Sequence, residues 1–229
     1  MSSVPVMTID GPSGSGKGTV SRAAARSLGW ALLDSGALYR LVALVGRQAG
    51  VALDDGPKLA RLAEALDLRF GSDSADGEAV WLGGRDVTGA IRTEEAGNDA
   101  SKVAALPMVR AALLDRQRRF AVHPGLVADG RDMGTVVFPQ AEVKIFLTAS
   151  PAERAARRHK QLKEKGVAAT LAALSLEIAE RDRRDMNRPI SPLVASADAV
   201  LLDTTGMPVD AVVERVLGEL RARLPRARG

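Results

Sequence analysis

The 229-residue chain has no cysteine, so disulfides and thiolate metal centres are excluded. Its two histidines, His123 and His159, are too few for an ordinary zinc site. No run of about 18 apolar residues exists to cross a bilayer, and the start, MSSVPVMTID, lacks the basic region and apolar run of a secretory signal. Aromatic residues make up 3% of the chain, which leaves few stacking platforms for single-stranded nucleic acid. The core must instead be built from Ala, Leu and Val. These absences fit a cytoplasmic protein with no membrane partner; no nucleic-acid partner is expected, and a monomer is the default.

What is present is ordinary in amount but not in arrangement. The apolar fraction of 46% suits a globular protein with a large core. Thirty-two basic residues stand against 28 acidic ones, with the signs interspersed. Arginine clusters on substrate phosphates account for that balance as well as DNA binding does.

Five short apolar runs read as buried parallel strands: Val6–Asp10, Ala31–Asp34, Leu126–Asp129, Val143–Thr148 and Ala199–Asp203. Four finish on Asp, at the strand ends where open α/β sheets bind ligands. Helix-like segments lie between them. One opens at the capping box Ser150-Pro151-Ala152-Glu153. The alternation predicts a doubly wound α/β fold. Asp67–Asp86 breaks it, reading as an antiparallel insert of about three strands, with Leu68–Phe70 and Ala79–Leu82 among them. The basic tail Arg221–Gly229 is expected to fray.

The first strand runs into Gly11-Pro12-Ser13-Gly14-Ser15-Gly16-Lys17-Gly18-Thr19, ahead of a helical pattern starting near Gly16. G-x-x-x-x-G-K wraps main-chain amides around a nucleotide's phosphates, with Lys17 reaching the outermost ones. Gly18 occupies the place of the usual hydroxyl, which comes one residue later at Thr19. Direct Mg²⁺ ligation by Thr19 is therefore left open, and Asp129 is a candidate for holding the metal's water shell.

Three further segments offer cations for a second phosphate. Asp34-Ser35-Gly36-Ala37-Leu38-Tyr39-Arg40 follows the second strand, where Ser35 either caps a helix or binds. Asp129-Gly130-Arg131-Asp132 ends the third strand, a costly arrangement without a charged ligand. Arg181, Asp185 and Arg188 stand at i, i+4 and i+7, which predicts one helical face. The stretch ERDRRDMNR also fits a salt-bridged surface helix. Arg154, Arg157 and Arg158 form either a lid over the nucleotide or a solvated face.

GPSGSGKGT, DSGALYR, IRTEEAGNDASKVAALPMVR, ADGRDMGTVVFP and ERDRRDMNR together resemble the bacterial type of cytidylate kinase, over essentially the whole chain. The resemblance implies a P-loop NTPase fold: a five-stranded parallel sheet flanked by helices, a small antiparallel-sheet insert and a short lid. It implies a core of residues 1–62 and 106–229, a nucleoside monophosphate-binding insert at 63–105 and a lid near 154–170. It further implies transfer of the γ-phosphate of ATP, with Mg²⁺, to CMP or dCMP. Residues 11–19 and Arg157 would bind ATP, and Lys17, Arg131 and Arg188 would be catalytic. Ser35, Arg40, Arg131 and Arg188 would hold the acceptor phosphate, Ser101, Arg110 and Asp132 would read cytosine, and Arg181 and Asp185 would hold the sugar.

That assignment is chemically coherent. A carboxylate accepts from the N4 amine of cytosine and an arginine donates to its acceptors, whereas uracil would leave both unmatched. The nucleophile is an ionised phosphate oxygen, so no side chain must remove a proton. Catalysis should rest on positioning and charge neutralisation, with closure excluding water. Rival readings at this level are a kinase for UMP or AMP, a hydrolysing P-loop switch, and a basic nucleic-acid-binding protein. The switch would need an attacking-water residue that the sequence does not display.

Overall fold

Strand β1 (Val6–Asp10) is buried at every position, which is why VMTID shows no polar alternation. In the computed structural model, which describes residues 4–74, 77–164 and 166–224, it forms the centre of a five-stranded sheet. The other strands are β2 (Ala31–Asp34), β6 (Leu126–Gly130), β7 (Val143–Thr148) and β8 (Val200–Asp203), in the order β2-β6-β1-β7-β8. Parallel ladders join β1 to β6, with Ile9 opposite Asp129, and β1 to β7, with Asp10 opposite Phe146. Winding therefore reverses at β1, and the carboxyl end of β1 is a crevice for ligands.

All five expected strands are present, with β6 one residue longer and β8 one shorter than read from sequence. Met7, Ile9, Val127, Val143, Ile145, Leu147 and Leu202 form one core with Val20 and Ala24 of α1 (Lys17–Leu28) and Val212, Val216 and Leu220 of α9 (Val209–Arg223). Burying each such Val, Leu or Ile contributes about 1.5–3 kcal/mol, so this aliphatic core needs no aromatic centre. The same buried stripe carries α9 on to Arg223, so the expected fraying of the tail does not begin at Arg221. Residues 225–229 lie outside the described part. Among the described residues no helix is long and apolar enough to cross a membrane.

The chain divides into two compact units, residues 1–33 with 120–229, and residues 34–119. The second holds α2 (Ser35–Gln48), α3 (Gly56–Glu64), α4 (Thr88–Ile91), α5 (Glu94–Val103) and α6 (Pro107–Arg118), with α2 packed on α5 and α3 on α6. It also contains the antiparallel sheet β3 (Leu68–Ser74), β4 (Gly77–Leu82) and β5 (Arg85–Asp86). Gly83-Gly84 joins β4 to β5 with both φ values positive, the two-residue loop that matches strand twist. Arg69 lies over its cross-strand partner Trp81, 5.1 Å from the ring centroid.

Candidate functional site

The phosphate loop bridges β1 and α1, with Gly16 as the left-handed residue before the helix (φ 89°). Its main-chain amides and the first turn of α1 provide the anion-binding geometry. Lys17 is buried at the start of α1 and its Nζ donates to the Pro12 carbonyl at 3.0 Å. Burial first, and then the Arg131 charge, lower its pKa to about 7. An ammonium so uncomfortable is receptive to a polyanion.

Gly18 has a steric reason. A Cβ there would stand 3.2 Å from Asp129 Oδ2, with Arg22 Nη1 next at 3.5 Å. A side chain at position 18 would thus press on the Asp129 carboxylate at the end of β6. Thr19 is exposed.

A second cluster forms around Asp185 on α8 (Leu171–Met186). One carboxylate oxygen accepts from Arg131 Nε at 2.9 Å, and the other pairs with Arg188 Nη2 at 2.8 Å. Burial pushes the Asp185 pKa up, but Arg131, Arg188 and Arg181 outweigh it and hold the carboxyl well below the usual range. Arg188 is buried, and its Nε has no hydrogen-bond partner. The expected single helical face needs correction: α8 ends at Met186 with Asn187 as its cap, so Arg188 lies beyond the helix. It reaches back to Asp185 from the following segment, where Leu193 N also donates to the Asp185 carbonyl at 2.9 Å.

The β6 loop is fixed from beneath. Asp10, at the end of β1, accepts from Met133 N (2.9 Å) and Gly134 N (2.8 Å), amides of a π-helical turn over Met133–Val137. Burial, partly countered by those two amides, raises the Asp10 pKa to about 7. Asp132 precedes this turn and is buried.

In residues 34–119 the remaining expected residues lie on neighbouring elements. Asp34, not Ser35, caps α2, accepting from Ala37 N at 3.0 Å; Ser35 is the first helical residue and is buried. The capping alternative for Ser35 is therefore wrong. Arg40 on α2 donates through Nη1 to the Ile91 carbonyl at 2.6 Å. Arg110 on α6 is buried, donates to the Ala104 carbonyl at 3.2 Å and lies 5.7 Å from the Tyr39 ring centroid. Ser101 is buried on α5.

The arginines of α7 (Pro151–Glu164) neither all face water nor all overhang the loop. Glu153 N donates to Ser150 Oγ at 3.2 Å, as the capping box predicts. Arg157 Nη1 donates to the Ser15 carbonyl (3.3 Å) and to Thr204 Oγ1 (3.0 Å), and Nη2 to the Thr204 carbonyl (2.6 Å). Arg154 is buried, whereas Arg158 is half-exposed and donates to Gln161 at 3.1 Å.

Sequence reasoning assigned no role to Asp10, Asp182 or Thr204. For Asp10 the signal was its position at a strand end directly before the phosphate loop. Asp182 stands three residues before Asp185 on one buried stripe.

A family model described as cytidylate kinase matches residues 7–222. A cytidylate kinase of Shewanella loihica is 55% identical over 221 residues, covering 96% of each chain. One of Methylococcus capsulatus is 56% identical over 96% of this chain and 98% of its own. One of Chromobacterium violaceum is 59% identical over 214 residues, 93% of this chain and 94% of its own.

Proposed function

We infer how the residues divide the work from one premise: the chain belongs to the cytidylate kinase family and phosphorylates CMP and dCMP, with ATP as donor. In this reading residues 11–19 cradle the ATP phosphates, with Arg157 beside the loop, and Lys17 neutralises the outer phosphates. Arg131 and Arg188 bind the acceptor phosphate and offset the charge developing in flight, joined in that task by Ser35 and Arg40. Ser101, Arg110 and Asp132 read cytosine; Arg181 and Asp185 hold the sugar. In this reading the protein works as a monomer in the cytoplasm, which supplies both nucleotides.

The observation that carries this division is the half-satisfied cation cluster. Asp185 fixes Arg131 and Arg188 with one oxygen each, yet Arg188 keeps a buried Nε without a partner. Lys17 lies close enough to feel Arg131 and Arg181. Buried donors left unmatched are costly unless a ligand takes them. A phosphate oxygen is the acceptor that suits a guanidinium fork.

The attacking oxygen belongs to CMP, whose phosphate is largely ionised at neutral pH. Transfer then depends on bringing two polyanions together in line, the task of fixed amides and guanidinium groups. The residues also fit Mg²⁺. Asp129 presents a buried carboxylate beside Gly18, and among the described residues no group of three or more acidic or histidine ligands competes. A metal carried mainly by phosphates and water needs few protein ligands. When bound, Mg²⁺ would neutralise phosphate charge, with Asp129 holding its water shell.

Two variants test the division. Lys17→Ala should lower transfer to CMP by at least about 10³-fold while leaving the circular dichroism spectrum intact. Asp132→Asn should narrow the CMP-over-UMP preference in kcat/KM by about tenfold or more. Near-normal turnover in the first, or unchanged discrimination in the second, overturns the corresponding role.

A further inference from the structure

The outer side of the phosphate loop is gripped by a buried arginine that the transfer mechanism does not use. Arg154 Nε donates to the Ala149 carbonyl at 3.1 Å, and Nη1 donates both to the Ser13 carbonyl at 3.0 Å and to Asp182 Oδ2 at 2.6 Å. Both members of the pair are buried. Gly14 packs directly on this residue: a Cβ at Gly14 would stand 3.0 Å from the Arg154 Cβ.

The consequence follows from peptide planarity. In a trans peptide the C=O of one residue and the N–H of the next point in opposite directions. Holding the Ser13 carbonyl against Arg154 therefore turns the Gly14 N–H to the other side, into the cradle. Arg157 does the same two residues on, since its grip on the Ser15 carbonyl turns the Gly16 N–H inward.

The grip is also tied to the second anion cluster. Asp182 and Asp185 are three apart on α8, so they lie on one side of the helix. One carboxylate reaches the phosphate loop through Arg154, and the other holds Arg131 and Arg188. Asp182 Oδ1 has no hydrogen-bond partner. A buried, half-satisfied carboxylate is a poor contributor to stability, so its geometric effect is the more telling one.

We propose that Arg154, locked by Asp182, is a positioning residue: it presets the loop's main-chain amides for the ATP phosphates and ties α8, whose Asp185 pairs with Arg131 and Arg188, to that loop. The proposal rests on the reading of residues 11–19 as the ATP cradle. Arg154 touches no reacting atom in it.

Asp182→Asn and Arg154→Lys test this against CMP and ATP. Arg154→Lys keeps the charge and loses the fork, so charge alone should not rescue it. Each should raise KM for ATP about tenfold and lower kcat about tenfold, with KM for CMP within twofold. The same loss should appear in calorimetric titration of ATP without CMP. The double variant should be no worse than either single, because both break one grip. If a single variant fails to fold, Arg154→Gln/Asp182→Asn removes both charges together and should show the same ATP-specific defect. An unchanged KM for ATP alongside a lower melting temperature overturns the proposal and leaves the cradle reading standing. Full turnover in Lys17→Ala would fell the cradle reading, and this proposal with it.

Discussion

Two sides of helix α8 use the same residues to opposite ends. On one, Glu180 pairs with Arg183 at 2.9 Å, both open to water, and with the half-buried Arg184 at 3.7 Å. On the other, Asp182 and Asp185 are buried and pair with Arg154, Arg131 and Arg188. The sequence there, ERDRRDMNR, alternates charges so evenly that composition cannot tell the sides apart. Helical phase can. Leu174 and Ile178 are buried, and the stripe they begin continues through Asp182 and Asp185. Where an apolar stripe runs on into carboxylates, those carboxylates are inside the protein and need cationic partners.

Within this comparison, removing Asp185 should give the largest effect. Asp185→Ala leaves two arginines without their shared partner in a mostly buried setting, which costs about 3–5 kcal/mol. Because it also frees Arg131 and Arg188 to move, kcat/KM for CMP should fall by about 10²-fold or more. Urea denaturation and steady-state kinetics read the two losses separately. Wild-type stability with lost activity would mean that the cluster serves binding alone.

A pH titration sharpens the contrast at the next level. Burial raises the Asp185 pKa, but Arg131, Arg188 and Arg181 more than reverse that, so the folded value lies below the ordinary 3.8. The unfolded chain then binds more protons than the folded one below about pH 4. Stability from this carboxylate is present above that pH and is lost as pH falls through it, by up to about 1.4 kcal/mol per unit. Asp185→Asn should have no such component. The stability gap between wild type and Asp185→Asn should therefore narrow as pH drops from 5 to 3. A constant gap would mean that Asp185 owes its effect to shape, not charge.

Much of this was legible in the sequence, for identifiable reasons. Each sheet strand is a short apolar run because both faces of a parallel sheet are covered, and β1, β2 and β7 were bounded to the residue. The phosphate loop was legible because glycine spacing and a lysine have few other uses between strand and helix. Boundaries set by tertiary contact were not. Arg188 reads as helical by spacing, yet the helix stops at Met186 and the chain turns back. Nor does composition signal that α2 packs on α5 and α3 on α6 within the unit of residues 34–119. The Arg154–Asp182 pair joins residues 28 apart in sequence, beyond the reach of any local spacing rule.

The smallest expected effect is the control for the comparison. Arg183 donates through Nε and Nη2 to Glu180, both at 2.9 Å, so by distances alone it is as well paired as Arg131. Its side chain is 66% exposed, however, against 15% for Arg131, and that difference decides the outcome. In water the pair gains little Coulomb energy, loses side-chain entropy and is screened by salt. Arg183→Ala should leave the melting temperature within about 2 °C of wild type and both KM values unchanged. Repeating the melt in high salt should erase whatever difference exists. A loss in Arg183→Ala comparable with that in Asp185→Ala would show that α8 depends on its charge density as a whole, and the distinction between its two sides would fail.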